Sequence, residues 1–183
     1  FYHSPKTSLV CIENTTNKGG GACWDLDEIK KIKETCIENN LKLHLDGARI
    51  WNACVERGYD YSDFGKLFDT ISVCLSKGLG CPVGSVLIFK KEYLKKAMKI
   101  RKILGGGMRQ SGYLAACGLY ALDNNIQKLH QDHVKAREIS NLLEKLYFVE
   151  EVYPVETNII IFKNKDKFST KDFINFMNHN GVE

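Results

Sequence analysis

Apolar and polar positions fall in blocks whose period changes along the chain. Residues 8–13 are a short apolar run ending in polar residues, and predict a strand. From Asp25 the period becomes helical. Leu26, Ile29, Ile32, Cys36 and Ile37 make one apolar stripe, Asp25 and Glu28 are spaced as a capping box, and Asn39-Asn40 ends the helix. Residues 41–46 return to period two, with Leu41, Leu43 and Leu45 on one face. A helix over 48–57 closes at Gly58. Residues 70–75 form a β-branched, apolar run suited to a sheet covered on both faces, followed by a turn built from Gly78 and Gly80 and a short strand over 85–89. A helix over 91–104 is broken by Gly105-Gly106-Gly107. Ser111 is placed to cap a helix over 112–122, and an amphipathic helix follows over 126–146, with Leu129, Val134, Ile139, Leu142, Leu143 and Leu146 apolar. Residues 149–162 offer strand material, clearest at 158–162. Ser169 caps a last helix over 172–179, stopped by Gly181.

Strand–helix–strand–helix–strand predicts an α/β fold with a mainly parallel sheet flanked by helices. The length, 183 residues, suits one domain or one and a part. The expected division is 1–147 as part of a large domain and 148–183 as the beginning of a small α+β domain that the chain does not complete. With Phe1 first and Glu183 last, the sequence is expected to be an internal fragment of a longer polypeptide.

Composition narrows the function classes. Lys+Arg total 26 and Asp+Glu 22, an excess too small to mark a polyanion binder. The one basic cluster has lysines at 90, 91, 95, 96, 99 and 102 plus Arg101. With no stacking aromatic beyond Tyr93 it reads as a solvated helix face, so no nucleic-acid partner is expected. No apolar run approaches a membrane span. The seven cysteines contain no Cys-x-x-Cys pair and signal no metal site. Cys11, Cys36, Cys74 and Cys117 lie in apolar segments and read as buried free thiols of a reducing, cytoplasmic compartment.

Two strands end in chargeable residues. Asp46 closes 41–46, and Lys77 follows 70–75. Open α/β sheets hold ligands outside these carboxyl ends. A lysine there needs a polar pocket or counter-charge, or loses its proton, and a desolvated amine can form a Schiff base with a carbonyl. The structural alternatives are a snorkelling Lys77, Asp46 as a helix N-cap, and Arg49 as its salt-bridge partner. Gly19-Gly20-Gly21 reads as a flexible turn, with anion binding as the alternative.

Three segments together carry a resemblance: His44-Leu-Asp-Gly-Ala-Arg-Ile50, Ser72-Val-Cys-Leu-Ser-Lys-Gly-Leu-Gly-Cys-Pro-Val-Gly-Ser85, and Leu104-Gly-Gly-Gly-Met-Arg-Gln-Ser-Gly-Tyr-Leu-Ala-Ala116. In this order and spacing they resemble the low-specificity L-threonine aldolase family, pyridoxal-phosphate enzymes of the aspartate aminotransferase fold. Glu13-Asn14-Thr15 and the segment 121–125 also fit. The resemblance implies pyridoxal 5'-phosphate as cofactor, Lys77 as the Schiff-base lysine and Asp46 as the acid at the ring nitrogen. It implies Arg49 facing the ring oxygen and the substrate carboxylate, and Arg109 reaching the phosphate across a subunit interface. The implied reaction is retro-aldol cleavage of L-threonine or L-allo-threonine to glycine and acetaldehyde, in a homo-oligomer. It further implies that the phosphate loop, the ring-stacking group and a second carboxylate-binding arginine lie outside this chain.

One departure stands inside the match: Thr16 occupies a position where the family often has histidine. His44 is no easy replacement, being on the opposite face of its strand from Leu43 and Leu45, and reads as a core or interface histidine. The alternatives are a fold-related lyase or transferase acting on another amino acid, and a catalytically silent subunit.

Overall fold

A computed structural model of the protein describes residues 5–182. Its centre is a four-stranded sheet in the order β1-β2-β3-β4: Leu9–Glu13, Lys42–Gly47, Thr70–Cys74 and Ser85–Phe89. The first three strands are parallel and β4 is antiparallel to β3. The mainly parallel α/β sheet expected from the sequence is therefore observed, with the reversal at β4 added.

Period two in β2 puts Leu43 and Leu45 wholly inside. They meet Ile29 and Cys36 of α1 (Leu26–Glu38), Ala53 and Cys54 of α2 (Ile50–Arg57) and Phe64 of α3 (Tyr61–Leu67), together with Ile71 and Val73 of β3. Burying a leucine or phenylalanine of this kind contributes roughly 1.5–3 kcal/mol each. Helix α3 was not expected. It is seven residues long with Phe64 as its one buried residue, too short to show a periodic stripe.

Helix α1 begins at Asp25, whose carboxylate accepts from the Asp27 N–H at 2.8 Å. Glu28 does not complete a capping box; it pairs with Lys31. Ile37 is exposed, one position off the buried Ile29–Cys36 line. Helix α2 ends at Gly58, left-handed at φ 67° as the stop signal predicts.

Beyond β4, a 3-10 turn (Lys91–Tyr93) leads into α4 (Leu94–Ile103), and the basic cluster is exposed as expected. Helix α5 (Gly112–Asn124) makes no side-chain cap with Ser111, which already has helical backbone angles. The long helix expected over 126–146 is a 3-10 turn (Ile126–Lys128) followed by α6 (Leu129–Leu143).

The remaining elements are β5 (Val149–Val152), β6 (Phe162–Asn164) and α7 (Thr170–His179). Residues 158–161, expected as the clearest strand, are not a strand. Thr157 is instead wholly buried, with its hydroxyl donating to the Gly21 carbonyl at 2.7 Å. That contact fixes the triple-glycine turn, so it is anchored rather than flexible. β5–β6 carries its own aromatic cluster of Tyr147, Phe148, Phe162, Phe168 and Phe173. Of the thiols expected to be buried, Cys36 is buried and Cys74 half-buried, whereas Cys11 and Cys117 are exposed. No helix among the described residues is long and apolar enough to cross a membrane.

Candidate active site

Register brings the carboxyl ends of three strands to one edge of the sheet. Glu13 lies beside Asp46, Asp46 beside Ser72, and Gly47 beside Val73. Lys77 is four residues beyond Val73, at the same end. This is the crevice position where open α/β sheets bind ligands.

Asp46 is half-buried. Its Oδ1 accepts from the Ala48 N–H at 3.1 Å, and its backbone carbonyl accepts from the Asn14 N–H at 2.9 Å. Helix α2 starts later, with Arg49 as N-cap, so Asp46 turns the chain without capping the helix. Among the described residues Asp46 Oδ2 accepts no hydrogen bond, and no ion pair joins Asp46 to Arg49. Both structural alternatives weighed for this pair, N-cap and salt bridge, are therefore absent. Arg49 is half-buried at the start of α2.

Lys77 projects from the loop between β3 and β4, and it is exposed rather than desolvated. The loop beneath it is tightly held. Leu75 N–H donates to Gly84 O at 2.9 Å, Cys81 N–H to Leu75 O at 3.1 Å, and Gly80 N–H to Lys77 O at 2.8 Å. From outside the loop, Trp51 Nε1 donates to Cys74 O at 3.3 Å and Asn125 Nδ2 to Leu79 O at 2.8 Å. Leu79 is buried with Cys81, Ala121, Ile126 and Leu129 in a second apolar cluster. Gly78 has no room for a side chain: a Cβ there would stand 2.7 Å from Leu129 Cδ2.

Arg109 is exposed in the loop between α4 and α5. Among the described residues no hydrogen bond or ion pair joins it to Asp46, Arg49 or Lys77. The strand register puts Asp46 at this edge, with Arg49 three residues on and Lys77 in the loop after β3; Arg109 lies in the loop between α4 and α5. His44 is half-buried with Nδ1 2.6 Å from Thr70 Oγ1, a contact between neighbouring strands.

Two further groups of polar residues lie near this edge, of which the sequence singles out only the first. Asn14 and Thr15 directly follow β1 and are wholly buried, with Asn14 Nδ2 and Thr15 Oγ1 unpartnered among the described residues. Behind α2 lies a second group. His133 of α6 is wholly buried between Asn52 and Glu56, and Arg137 Nη1 reaches Glu56 Oε1 at 3.0 Å. Polar side chains on an otherwise amphipathic helix give no periodic signal that separates them from solvated ones. Two core thiols are inert: burial pushes Cys23 and Cys54 up to about 12.

Comparison with known proteins agrees with the geometry. The sequence profile described as beta-eliminating lyase matches residues 1–166. Low-specificity L-threonine aldolase 1 of Arabidopsis thaliana is 42% identical over 167 residues, covering 91% of this chain and 46% of the relative. Low specificity L-threonine aldolase of Escherichia coli K12 is 45% identical over 143 residues, covering 78% and 42%. The solved structure of Leishmania major threonine aldolase superposes with a TM-score of 0.76 at 25% identity, covering 96% of this chain and 50% of that one. The chain therefore spans under half the length of these two sequence relatives. With a family profile matching nearly its whole length and the same sheet, the chain belongs to the beta-eliminating lyase family.

Proposed function

We propose that the full-length protein is a pyridoxal-phosphate-dependent aldehyde-lyase of L-threonine aldolase type. It cleaves L-threonine or L-allo-threonine to glycine and acetaldehyde. The observation that carries this is the position of Asp46 at the carboxyl end of β2 and of Lys77 just past the carboxyl end of the adjacent parallel strand β3. The donor set fits the cofactor: an amine for its aldehyde, a carboxylate with a free oxygen for its ring nitrogen, and an arginine for a carboxylate. The relatives' names support the substrate.

In this reading Lys77 would hold the cofactor and Asp46 would stand at its ring nitrogen. A carboxylate at that place keeps the ring protonated. Arg49 grips the substrate carboxylate and the ring oxygen with its planar fork. Arg109 reaches the phosphate from a neighbouring subunit of a homo-oligomer. When bound, pyridoxal phosphate supplies the electron sink that lets the Cα–Cβ bond break. The hydrogen bonds of the loop beneath Lys77 hold the backbone that carries the amine. Thr16 offers a hydroxyl where the resemblance implies an imidazole, so proton transfer near β1 is expected to differ. Residues 1–147 belong to the cofactor-binding large domain, and 148–183 begin a smaller one. The free thiols suit a cytoplasmic enzyme.

A second reading, a lyase or transferase of the same fold acting on another amino acid, is favoured by the matching profile being that of eliminating lyases. The full-length protein decides. Acetaldehyde release from L-threonine and a visible absorbance band of bound cofactor are expected. A band with no acetaldehyde favours the second reading, and no band sinks both. Lys77→Ala is expected to abolish the band, and its survival would put the cofactor on another lysine.

A further inference from the structure

Helix α6 carries a histidine that is closed off from solvent yet tied to the edge where Lys77 sits. His133 Nδ1 stands 3.0 Å from Glu56 Oε2, and its Nε2 stands 3.0 Å from Asn52 Nδ2. A carboxylate only accepts, so Nδ1 carries the hydrogen. An amide nitrogen only donates, so Nε2 is a bare acceptor. The two contacts define a neutral imidazole in one tautomer. The charged groups facing it are Glu56 on α2, and Arg137 and His130 on its own helix. Arg137 holds Glu56 from the other side and also donates to the Glu156 carbonyl at 3.2 Å.

Asn52 and Leu129 connect this imidazole to the lysine loop. A Cβ built on Gly78 would meet Leu129 Cδ2 at 2.7 Å and Asn52 Oδ1 at 3.9 Å. Leu129 is one turn before His133 on α6, and Gly78 directly follows Lys77. Asn52 also donates its backbone N–H to the Arg49 carbonyl at 3.0 Å. The floor under the lysine loop is thus set by an amide and a helix turn that His133 holds in place.

We propose that His133 is a positioning residue for Lys77, acting through Asn52 and Leu129, and that it does so only as the neutral imidazole. The proposal rests on Lys77 being the functional lysine. A second proton on the ring would place an Nε2–H against the Asn52 NH2, two donors in a buried site. The amide must then turn over or the ring withdraw, and either change alters the Asn52 side chain that lies near Gly78. Burial lowers the proton affinity of His133 below its ordinary value of 6.5, with Glu56 opposing. The contribution is therefore complete above 6.5 and is lost as pH falls through the lowered folded value.

Hydrogen exchange at the amides of 79–81 in the full-length, cofactor-free protein tests this without any need for turnover. After correction for intrinsic rates, exchange is expected to accelerate as pH falls below 6.5. His133→Gln keeps a carbonyl able to accept from Asn52 but cannot titrate. It is expected to show neutral-pH protection on either side of that pH. His133→Leu is expected to show fast exchange on both sides. An acid acceleration that survives in His133→Gln, or wild-type exchange that follows the intrinsic rate alone, overturns the proposal. Should His133→Leu fail to fold, the His133→Gln comparison still decides. Cofactor affinity measured in parallel reports separately on Lys77: if no variant or wild type binds pyridoxal phosphate, the functional assignment fails whatever the exchange shows.

Discussion

At the scale of single residues, the best-anchored charge lies at the opposite end of β3 from Lys77. Asp69 Oδ2 accepts from Leu43 N–H at 3.0 Å and from Lys33 at 3.1 Å, and its Oδ1 accepts from Lys42 at 3.2 Å. One carboxylate thereby ties α1, β2 and β3. Burial raises its proton affinity, but the Leu43 N–H and the two ammoniums outweigh it and hold the carboxyl at about 2, below 3.8. The sign follows: the stabilisation is present above 3.8 and is lost as pH falls toward about 2. It amounts to roughly 2 kcal/mol. Asp69→Asn is expected to lower stability at neutral pH by about that much and to flatten the acid limb between those values. Urea unfolding at stepped pH checks it, and an unchanged acid limb would show that other carboxylates carry it. The positions of Asp46 and Lys77 near one end of the sheet were legible in the sequence because each closes or closely follows an apolar strand, where a chargeable side chain stands out. His133 was not, because its partners lie 77 and 81 positions away and only packing brings them together.

At the scale of elements, order and type were largely legible where the hydrophobic period was clean. β1, β2, β3 and β4 follow their runs closely. The errors have one physical cause: short or irregular elements whose form is decided by distant contacts. Residues 158–161 are β-branched and apolar enough for a strand, but Thr157 and Ile159 are drawn against Gly21, and pairing starts only at Phe162. Stop signals fared better, because they act locally. Gly58 ends α2 in left-handed backbone, and a Cβ there would meet nothing within 4 Å. Gly58→Ala therefore isolates conformational strain from packing. It is expected to cost about 1 kcal/mol, seen as a lower melting temperature with unchanged cofactor affinity. A neutral effect would mean that the turn relaxes to a right-handed form.

At the scale of the whole molecule, the described residues form a buried centre with an uncovered apolar flank at β4 and α4. Val86, Leu87 and Ile88 of β4 are each nearly half exposed, as are Leu94, Met98 and Ile100 of α4. A groove of about 660 Å³ lies between the two elements, lined mainly by these apolar side chains. Monomeric proteins rarely leave so much apolar surface contiguous, and an open edge strand recruits other chains. The 183-residue chain by itself is therefore expected to self-associate, which sedimentation at increasing concentration would reveal. It is also expected to bind pyridoxal phosphate weakly, because it spans under half the length of its sequence relatives. Tight stoichiometric binding by the chain alone would show that the cofactor's contacts are already complete within it.

The reversal of direction at β4 gives the lysine loop a property that a strand-to-helix connection lacks. Leu75 N–H and Gly84 O close its base at 2.9 Å, so the loop leaves and re-enters the sheet at one post. A lysine mounted this way swings on a fixed pivot. The Lys77 side chain can therefore change rotamer while both strands keep their register, and residues added at the loop's outer rim are expected to leave that base in place.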